Sequence, residues 1–444
     1  MNEEISEEAV QELKESSPFS KNFFIKTFGC PANKSDTEIM IGLLRKAGYS
    51  LTEMEKAEYV LVNTCGVKQP TENRVISTLK QLASLNKKLI ISGCLPKINF
   101  KRIVNTVPSF SAILDPRSIH LIVDILNKID QERNIVVFSD EPPIKPSLPK
   151  HLINPIIGII QISEGCTMAC TYCCTRLARG SVYCYPDYEI VKEVNRLIDK
   201  GCKEIWITSQ DNGVYNFKGS ELPDILRGIC KIDKDFFVRV GMMNPIHVKG
   251  ILRGLIESYL DKKIYKFLHI PIQSASLRIL GLMKRGYSPN TVSKMIDEFL
   301  EYFPSLTLSI DVIVGFPTED TVDFDETIKF VQTIRPDIVN ISKFGARPGT
   351  EASKFKQLTY SLVNRRCKQL VQIVRDISYK KNLKLLGWSG KCLIDEKGKK
   401  DGTWIGRNFA YKPIVVESEQ NIFGEFLNVE IVEAKSTYLL GKII

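Results

Sequence analysis

GCTMACTYCC, Gly165 to Cys174, packs four cysteines into nine positions just after the apolar run IIGIIQI, Ile156 to Ile162. That run has the length and β-branched content of a buried strand, and it is the first of six. EIWIT (204–208), FFVRVGM (236–242), KFLHI (266–270), TLSIDVIVG (307–315) and IVNISKF (338–344) follow, each separated by a segment long enough for a helix. Six successive strand–helix units are compatible with a full or partial (β/α) barrel of parallel strands. The cysteine loop then emerges where such barrels build their sites, at the carboxyl ends of the strands.

Outward from this centre the chain divides further. Between Asn22 and about Phe138, the runs NFFIKT, YVLVN and KLIIS alternate with amphipathic stretches, as in a parallel α/β domain. DEPPIKPSLPK (140–150) carries four prolines in eleven residues and reads as an interdomain linker. Beyond about Leu386, short β-rich segments punctuated by glycine read as a small all-β module. The expected organisation is a flexible tail (1–20), an amino-terminal α/β domain (21–138), a linker (139–153), the barrel-like core (154–385) and the β module (386–444).

Composition narrows the chemistry. No stretch approaches the roughly 20 uninterrupted apolar residues of a membrane span, and the acidic start MNEEISEEAVQELKESS resembles no targeting peptide. The expected address is cytoplasmic, where the 12 cysteines favour metal or redox chemistry over disulfides. Cys166, Cys170 and Cys173 form C-x3-C-x2-C, which can hold three irons of a cubane iron–sulfur cluster and leave the fourth open. Zinc is the rival, but it wants four ligands and no histidine is near in the sequence. A second set ends the first three strand runs: TFGC at Cys30, NTCG at Cys65 and SGC at Cys94, each beside a glycine. A parallel sheet would bring these to one carboxyl edge, giving either a second three-cysteine cluster or three buried hydrophobic thiols.

C-x3-C-x2-C with Tyr172 before its last cysteine resembles the radical S-adenosylmethionine enzymes. FGCPANKSDTE, NTCGVKQPTENRV and SGCLPK, with TSQDNGVY, HIPIQSASLRILGLMKRGY, IVGFPTE and ARPGT, resemble the methylthiotransferases. GRNFAYKPIVV and YLLGKII resemble their terminal TRAM barrel. This resemblance implies two 4Fe-4S clusters, one on Cys30, Cys65 and Cys94 and one on Cys166, Cys170 and Cys173, with S-adenosyl-L-methionine as cofactor. It also implies a two-stage reaction, in which sulfur held at the first cluster is methylated and a radical generated at the second removes hydrogen from the target carbon. Electron and sulfur donors of unknown identity would complete it.

KQPTENRV, GCLPKI and VGMMNP look most like the branch that converts N6-threonylcarbamoyladenosine at position 37 of tRNA to its 2-methylthio form, in its archaeal and eukaryotic version, here without a hydrophobic tail after the β module. Isopentenyladenosine in tRNA or an aspartate of a ribosomal protein are the alternative substrates. A non-enzymatic iron–sulfur protein that binds RNA or senses redox state is the alternative class.

Gln210, Asp211, Gln273, Asp311 and Arg347, at strand ends or in the loops beyond them, are expected to line the cofactor pocket, with Gly315 and Phe316 nearby. His269 reads as structural, and Cys174 has no assigned role. The net charge of +10 points to an anionic partner. Asn364 to Lys384 holds seven Lys or Arg against one Asp and precedes a module bearing Trp388, Trp404, Phe409 and Tyr411. Arg365, Arg366, Lys380, Lys381 and Arg407 are therefore the expected contacts to a tRNA anticodon stem-loop, bound by a monomer.

Overall fold

The computed structural model describes residues 21–444, and the expected tail at 1–20 lies outside the described residues. In the amino-terminal domain, β1 (Asn22–Thr27), β2 (Ser50–Leu51), β3 (Tyr59–Thr64), β4 (Lys88–Gly93), β5 (Ala112–Leu114) and β6 (Ile135–Val137) form one sheet in the order β2-β1-β3-β4-β5-β6. Every pairing in it is parallel. A parallel sheet must be covered on both faces. Helices α1 (Pro31–Lys46) and α4 (Ile122–Lys128) bury Ile39, Leu44, Ile122 and Leu126 against one face. On the other, α2 (Gln69–Ala83) and α3 (Leu95–Thr106) bury Val75, Leu79 and Ile103. The sequence reading located β1, β3 and β4 but not the short outer strands. It also missed α3, whose periodicity is broken by Pro96 and by Asn99, held at non-helical φ −148°.

All six runs of the core are strands: β7 (Ile157–Gln161), β8 (Glu204–Thr208), β9 (Phe237–Val240), β10 (Phe267–His269), β11 (Thr307–Val314) and β12 (Ile338–Lys343). They form two parallel three-stranded sheets, β9-β8-β7 and β10-β11-β12. A bridge from Val238 to Ile264, just before β10, joins them, whereas β7 and β12 stay unpaired at the open edge, so the barrel is partial. The last helix of the core, α5 (Tyr360–Leu383), packs along β12 and leads into the carboxy-terminal module. There five strands, Ser389–Lys397, Thr403–Arg407, Pro413–Glu417, Phe426–Ala434 and Leu439–Ile443, close into a barrel.

The proline-rich segment is more than a spacer. It forms a 3-10 turn, Lys145–Ser147, whose Lys145 is 1% exposed. Lys145 Nζ donates to Asp36 Oδ1 of α1 at 2.7 Å and to Glu164 Oε2 of the core at 2.9 Å. Arg179 joins the same carboxylates, donating to Asp36 at 2.7 Å and Glu164 at 2.7 Å. Two buried cations against two buried anions make a neutral cross-link between the domains. Removing any one member would strand a charge, at a cost of about 3–5 kcal/mol.

Candidate functional site

Cys30, Cys65 and Cys94 follow β1, β3 and β4, adjacent strands of one parallel sheet, so sequence separation collapses to neighbouring strand ends. Strands lie about 4.8 Å apart, and the turn before Cys30 tightens the approach. Gly29 adopts φ +114°, and a Cβ there would lie 2.8 Å from Cys65 Cβ and 3.2 Å from its Sγ. Only glycine both reaches this conformation without strain and leaves room for the thiol. Burial pushes the Cys65 thiol up to about 12, with repulsion from Cys94 and Cys30 adding to it. Cys94 is raised to about 11, chiefly by burial, with the Arg179 charge opposing. Such thiols hold their protons until a cation replaces them.

Across the domain interface, the Gly165–Cys174 loop is held from several sides. Gly165 N–H donates to Gln210 Oε1 at 2.7 Å, Thr171 Oγ1 donates to Leu282 O at 2.8 Å, and Ala352 N–H donates to Thr171 O at 2.8 Å. Each thiol receives one hydrogen bond: Cys166 from Met168 N–H at 3.4 Å, Cys173 from Thr175 N–H at 3.4 Å and Cys170 from Arg285 Nη1 at 3.3 Å. Cys174 points the other way. It is 1% exposed, packs with Cys94, Ile98 and Ala178, and lies 3.7 Å from Gly66 O. The loop after β7 therefore abuts the carboxyl edge of the amino-terminal sheet through Cys174.

The expected pocket residues fall into two groups. Gln210 braces the cysteine loop through Gly165. Asp311 accepts from His269 Nε2 at 3.1 Å and from Asn340 Nδ2 at 2.7 Å. Burial alone would raise its carboxyl, but these donors and the Lys68 charge hold it below the usual range. A Cβ at Gly345, in the loop after β12, would lie 3.3 Å from Gln69 Oε1 at the start of α2, so the amino-terminal domain reaches the barrel mouth. Gln273 holds φ +65°, a conformation few non-glycine residues adopt, with its N–H on Asp311 O at 2.8 Å. Strain of this kind gathers at sites the surroundings over-determine.

Asp211 and Arg347 differ from expectation. Asp211 is buried and already accepts from Gly213 N–H at 3.0 Å, Asn244 N–H at 3.0 Å and His247 Nδ1 at 2.7 Å. It orients neighbours instead of presenting a free carboxylate. His247, distant in sequence, sets Nε2 3.4 Å from Thr167 Oγ1 within the cysteine loop, so a histidine does approach it. Arg347 is buried against Glu72 of α2, and is an interdomain tie.

The expected RNA contacts divide likewise. Arg365 and Lys380 are exposed on α5, as are Lys368 and Arg375, with Lys384 exposed just past its end. Arg366 is buried and donates to Glu319 Oε2 at 2.8 Å, because its helical position faces the core. Lys381 pairs with Asp337, and Arg407 donates to Asp395 Oδ2 at 3.1 Å. These three side chains are engaged within the fold, with Lys412 sharing Asp337. Tyr411 packs 4.9 Å from the Tyr265 ring and 5.2 Å from Phe267, sealing barrel to core instead of offering a free stacking face.

Two groups implied by the resemblance, an iron–sulfur cluster and S-adenosylmethionine, can be set against these residues. Among the described residues, no group of three His, Cys, Asp or Glu side chains is placed to hold a metal ion. The donors are all thiols, hydrogen-bonded singly, with a buried guanidinium on one of them, a setting suited to an anionic cluster.

Comparison with known proteins agrees with the three-part fold. Family models match at residues 22–115 (uncharacterized protein family UPF0004), 160–331 (radical SAM superfamily) and 392–444 (TRAM domain). A structure of the radical S-adenosylmethionine methyltransferase TsrM from Kitasatospora setae, with cobalamin and a 4Fe-4S cluster bound, is similar in fold. Its TM-score is 0.56 at 11% identity, covering 76% of this chain and 77% of that one. The chain is 40% identical to the probable threonylcarbamoyladenosine tRNA methylthiotransferase of Pyrococcus abyssi, over 95% of this chain and 99% of the relative. It is 33% identical to the Xenopus laevis threonylcarbamoyladenosine tRNA methylthiotransferase, over 96% of this chain and 77% of the relative. With three domains in the same order and this identity along nearly its whole length, the chain belongs to the threonylcarbamoyladenosine tRNA methylthiotransferase family.

Proposed function

We propose that this protein is a radical S-adenosylmethionine methylthiotransferase that modifies carbon 2 of N6-threonylcarbamoyladenosine at position 37 of tRNA. The observation that carries the reading is a pair of three-cysteine sets, each at the carboxyl ends of parallel strands in its own domain, with Cys174, beside the second set, packed on Cys94 of the first. When bound, two 4Fe-4S clusters and S-adenosylmethionine supply the transferable sulfur, the methyl group and the hydrogen-abstracting radical.

The chain's own residues supply placement. Cys30, Cys65 and Cys94 would hold one cluster and Cys166, Cys170 and Cys173 the other. Gln210 and the Asp211–His247 pair fix the second loop, while the Lys145, Arg179, Asp36 and Glu164 network and the Arg347–Glu72 pair hold the domains in register. Such register matters because small misplacements of reacting atoms are costly. The exposed basic face of α5 binds phosphates, which offsets the few kcal/mol needed to splay the target base from its stack. Asp311, His269, Asn340 and Gln273 line the mouth where cofactor and base meet. On this reading the protein acts in the cytoplasm as a monomer on the anticodon stem-loop, with separate electron and sulfur donors. Among the described residues, no helix is long and apolar enough to cross a membrane.

Iron content and product analysis test the assignment. Anaerobically isolated protein should carry about eight irons, and Cys30→Ala and Cys170→Ala should each remove about half. Cys170→Ala should abolish 5′-deoxyadenosine formation. Cys30→Ala should keep some cofactor cleavage but lose 2-methylthio nucleoside. Depletion of the same irons by both variants, or methylthiolation surviving in Cys30→Ala, would refute it.

A further inference from the structure

Arg285 lies in the loop before Ser288, apart from the residues expected to meet cofactor or RNA. It is 5% exposed. Its Nη1 donates to Cys170 Sγ at 3.3 Å, Nη2 to Asn244 Oδ1 at 3.1 Å and to Pro271 O at 3.3 Å, and Nε to Tyr287 Oη at 2.9 Å. None of these partners carries a countercharge. Of the other buried arginines, Arg179, Arg347 and Arg366 each sit on a carboxylate, and Arg117 donates to the main-chain carbonyls of Asp140 and Ser181 but to no thiol. Among the described residues no carboxylate pairs with Arg285. A guanidinium taken out of water without a counterion is strongly unfavourable, so the fold has prepared a positive charge for something negative.

The three thiols of the loop indicate what that is. Cys166 and Cys173 each receive a main-chain amide, whereas Cys170 receives the one full positive charge. A 4Fe-4S cluster on three thiolates is an anion and gains another negative charge when reduced. Hydrogen bonds and charge at cluster sulfurs set its potential. We propose that Arg285 is the built-in countercharge of the cluster on Cys166, Cys170 and Cys173, and that it sets how readily this cluster takes one electron from its donor. Arg285 is thus a positioning and tuning residue, acting through Cys170. Asn244 and Tyr287 fix the guanidinium in place. Asn244 N–H also donates to Asp211, which ties the device to the His247 contact with the same loop.

This inference rests on the cluster reading above, and its test separates the two. The full chain carrying Cys30→Ala, which leaves one cluster, is reconstituted with iron and sulfide and titrated with dithionite under spectroscopic readout. Arg285→Met should lower the ratio of reduced to oxidised cluster at a fixed potential by at least tenfold, a shift of about 59 mV for one electron. Arg285→Lys, which keeps the charge, should stay within threefold of the parent. Equal shifts in both variants, or no shift in Arg285→Met with its cluster intact, would overturn the proposal.

Thermal melting of cluster-free protein supplies the second arm. Without the cluster, Arg285→Met should melt at or above the parent, because an unpaired buried charge is gone. With the cluster it should melt below the parent. A cluster-free variant that melts below its parent marks Arg285 as a structural brace and overturns the proposal. Loss of the cluster in Arg285→Met but not in Arg285→Lys counts for it, and loss in both counts against it. If the parent gains no iron that Cys170→Ala removes, the cluster reading itself fails, and this outcome is distinct from the others.

Discussion

Arg347→Met should loosen the amino-terminal domain from the core without weakening cofactor binding. Arg347 and Glu72 are 275 residues apart and both buried, one in the loop after β12 and the other in the first turn of α2. Breaking a buried ion pair by removing one partner costs about 3–5 kcal/mol. Glu72 would not be stranded, because Arg102 Nη1 at 2.6 Å and Asn99 Nδ2 at 2.9 Å still reach it. The expected loss is therefore below that range, about 2 kcal/mol, the worth of a hydrogen bond to a charged group. Every 1.4 kcal/mol is a factor of ten, so amide hydrogen exchange in α2 should accelerate by roughly thirtyfold.

A double-mutant cycle with Glu72→Gln isolates the pair, and the double variant should be less destabilised than the sum of the singles by about 2 kcal/mol. Methylthio product should fall, because the two cysteine sets lose their register, while S-adenosylmethionine affinity and uncoupled cleavage persist. An additive cycle would refute the reasoning. So would a fall in cofactor affinity in Arg347→Met that Glu72→Gln does not share, since that would return Arg347 to the cofactor pocket.

Two further outcomes follow from the charge distribution. Neutralising the exposed Arg365, Lys368, Arg375 and Lys380 should make the salt dependence of tRNA binding shallower, by about 0.7–0.9 in slope for each phosphate that is no longer neutralised; equal slopes would show that α5 does not touch RNA. Arg366→Gln should instead destabilise the core by stranding Glu319, whose carboxyl is already raised to about 6, chiefly by burial. Burial raises Glu38 to about 7, against the opposing charge of Lys150. The folded chain therefore holds this proton more tightly than the unfolded chain, and stability should fall as pH rises from about 4.5 to about 7, by about 3 kcal/mol. Denaturation of Glu38→Gln across this range checks it, and an unchanged pH profile would count against that assignment.

What the sequence determined by itself was local in origin. The six strand runs of the core are apolar stretches of β-branched residues bounded by turn signals, and the C-x3-C-x2-C loop is legible because its three cysteines sit within eight residues of chain. The Cys30, Cys65 and Cys94 set was also within reach, since parallel strands place all their carboxyl ends on one edge whatever lies between them.

Charge pairing was not legible, because it depends on which elements pack together. Arg365 and Arg366 are adjacent, yet one faces solvent and the other meets Glu319, 47 residues away. Lys145 looked like a linker lysine until α1 and the core closed around it, and Arg407 looked like an RNA contact until Asp395 accepted from it. Cys174 and Arg285 carry no signal of spacing at all. Only tertiary packing turns one toward Cys94 and sets the other on Cys170 without a carboxylate, because burial and partners are properties of surfaces brought together by folding, not of neighbours along the chain.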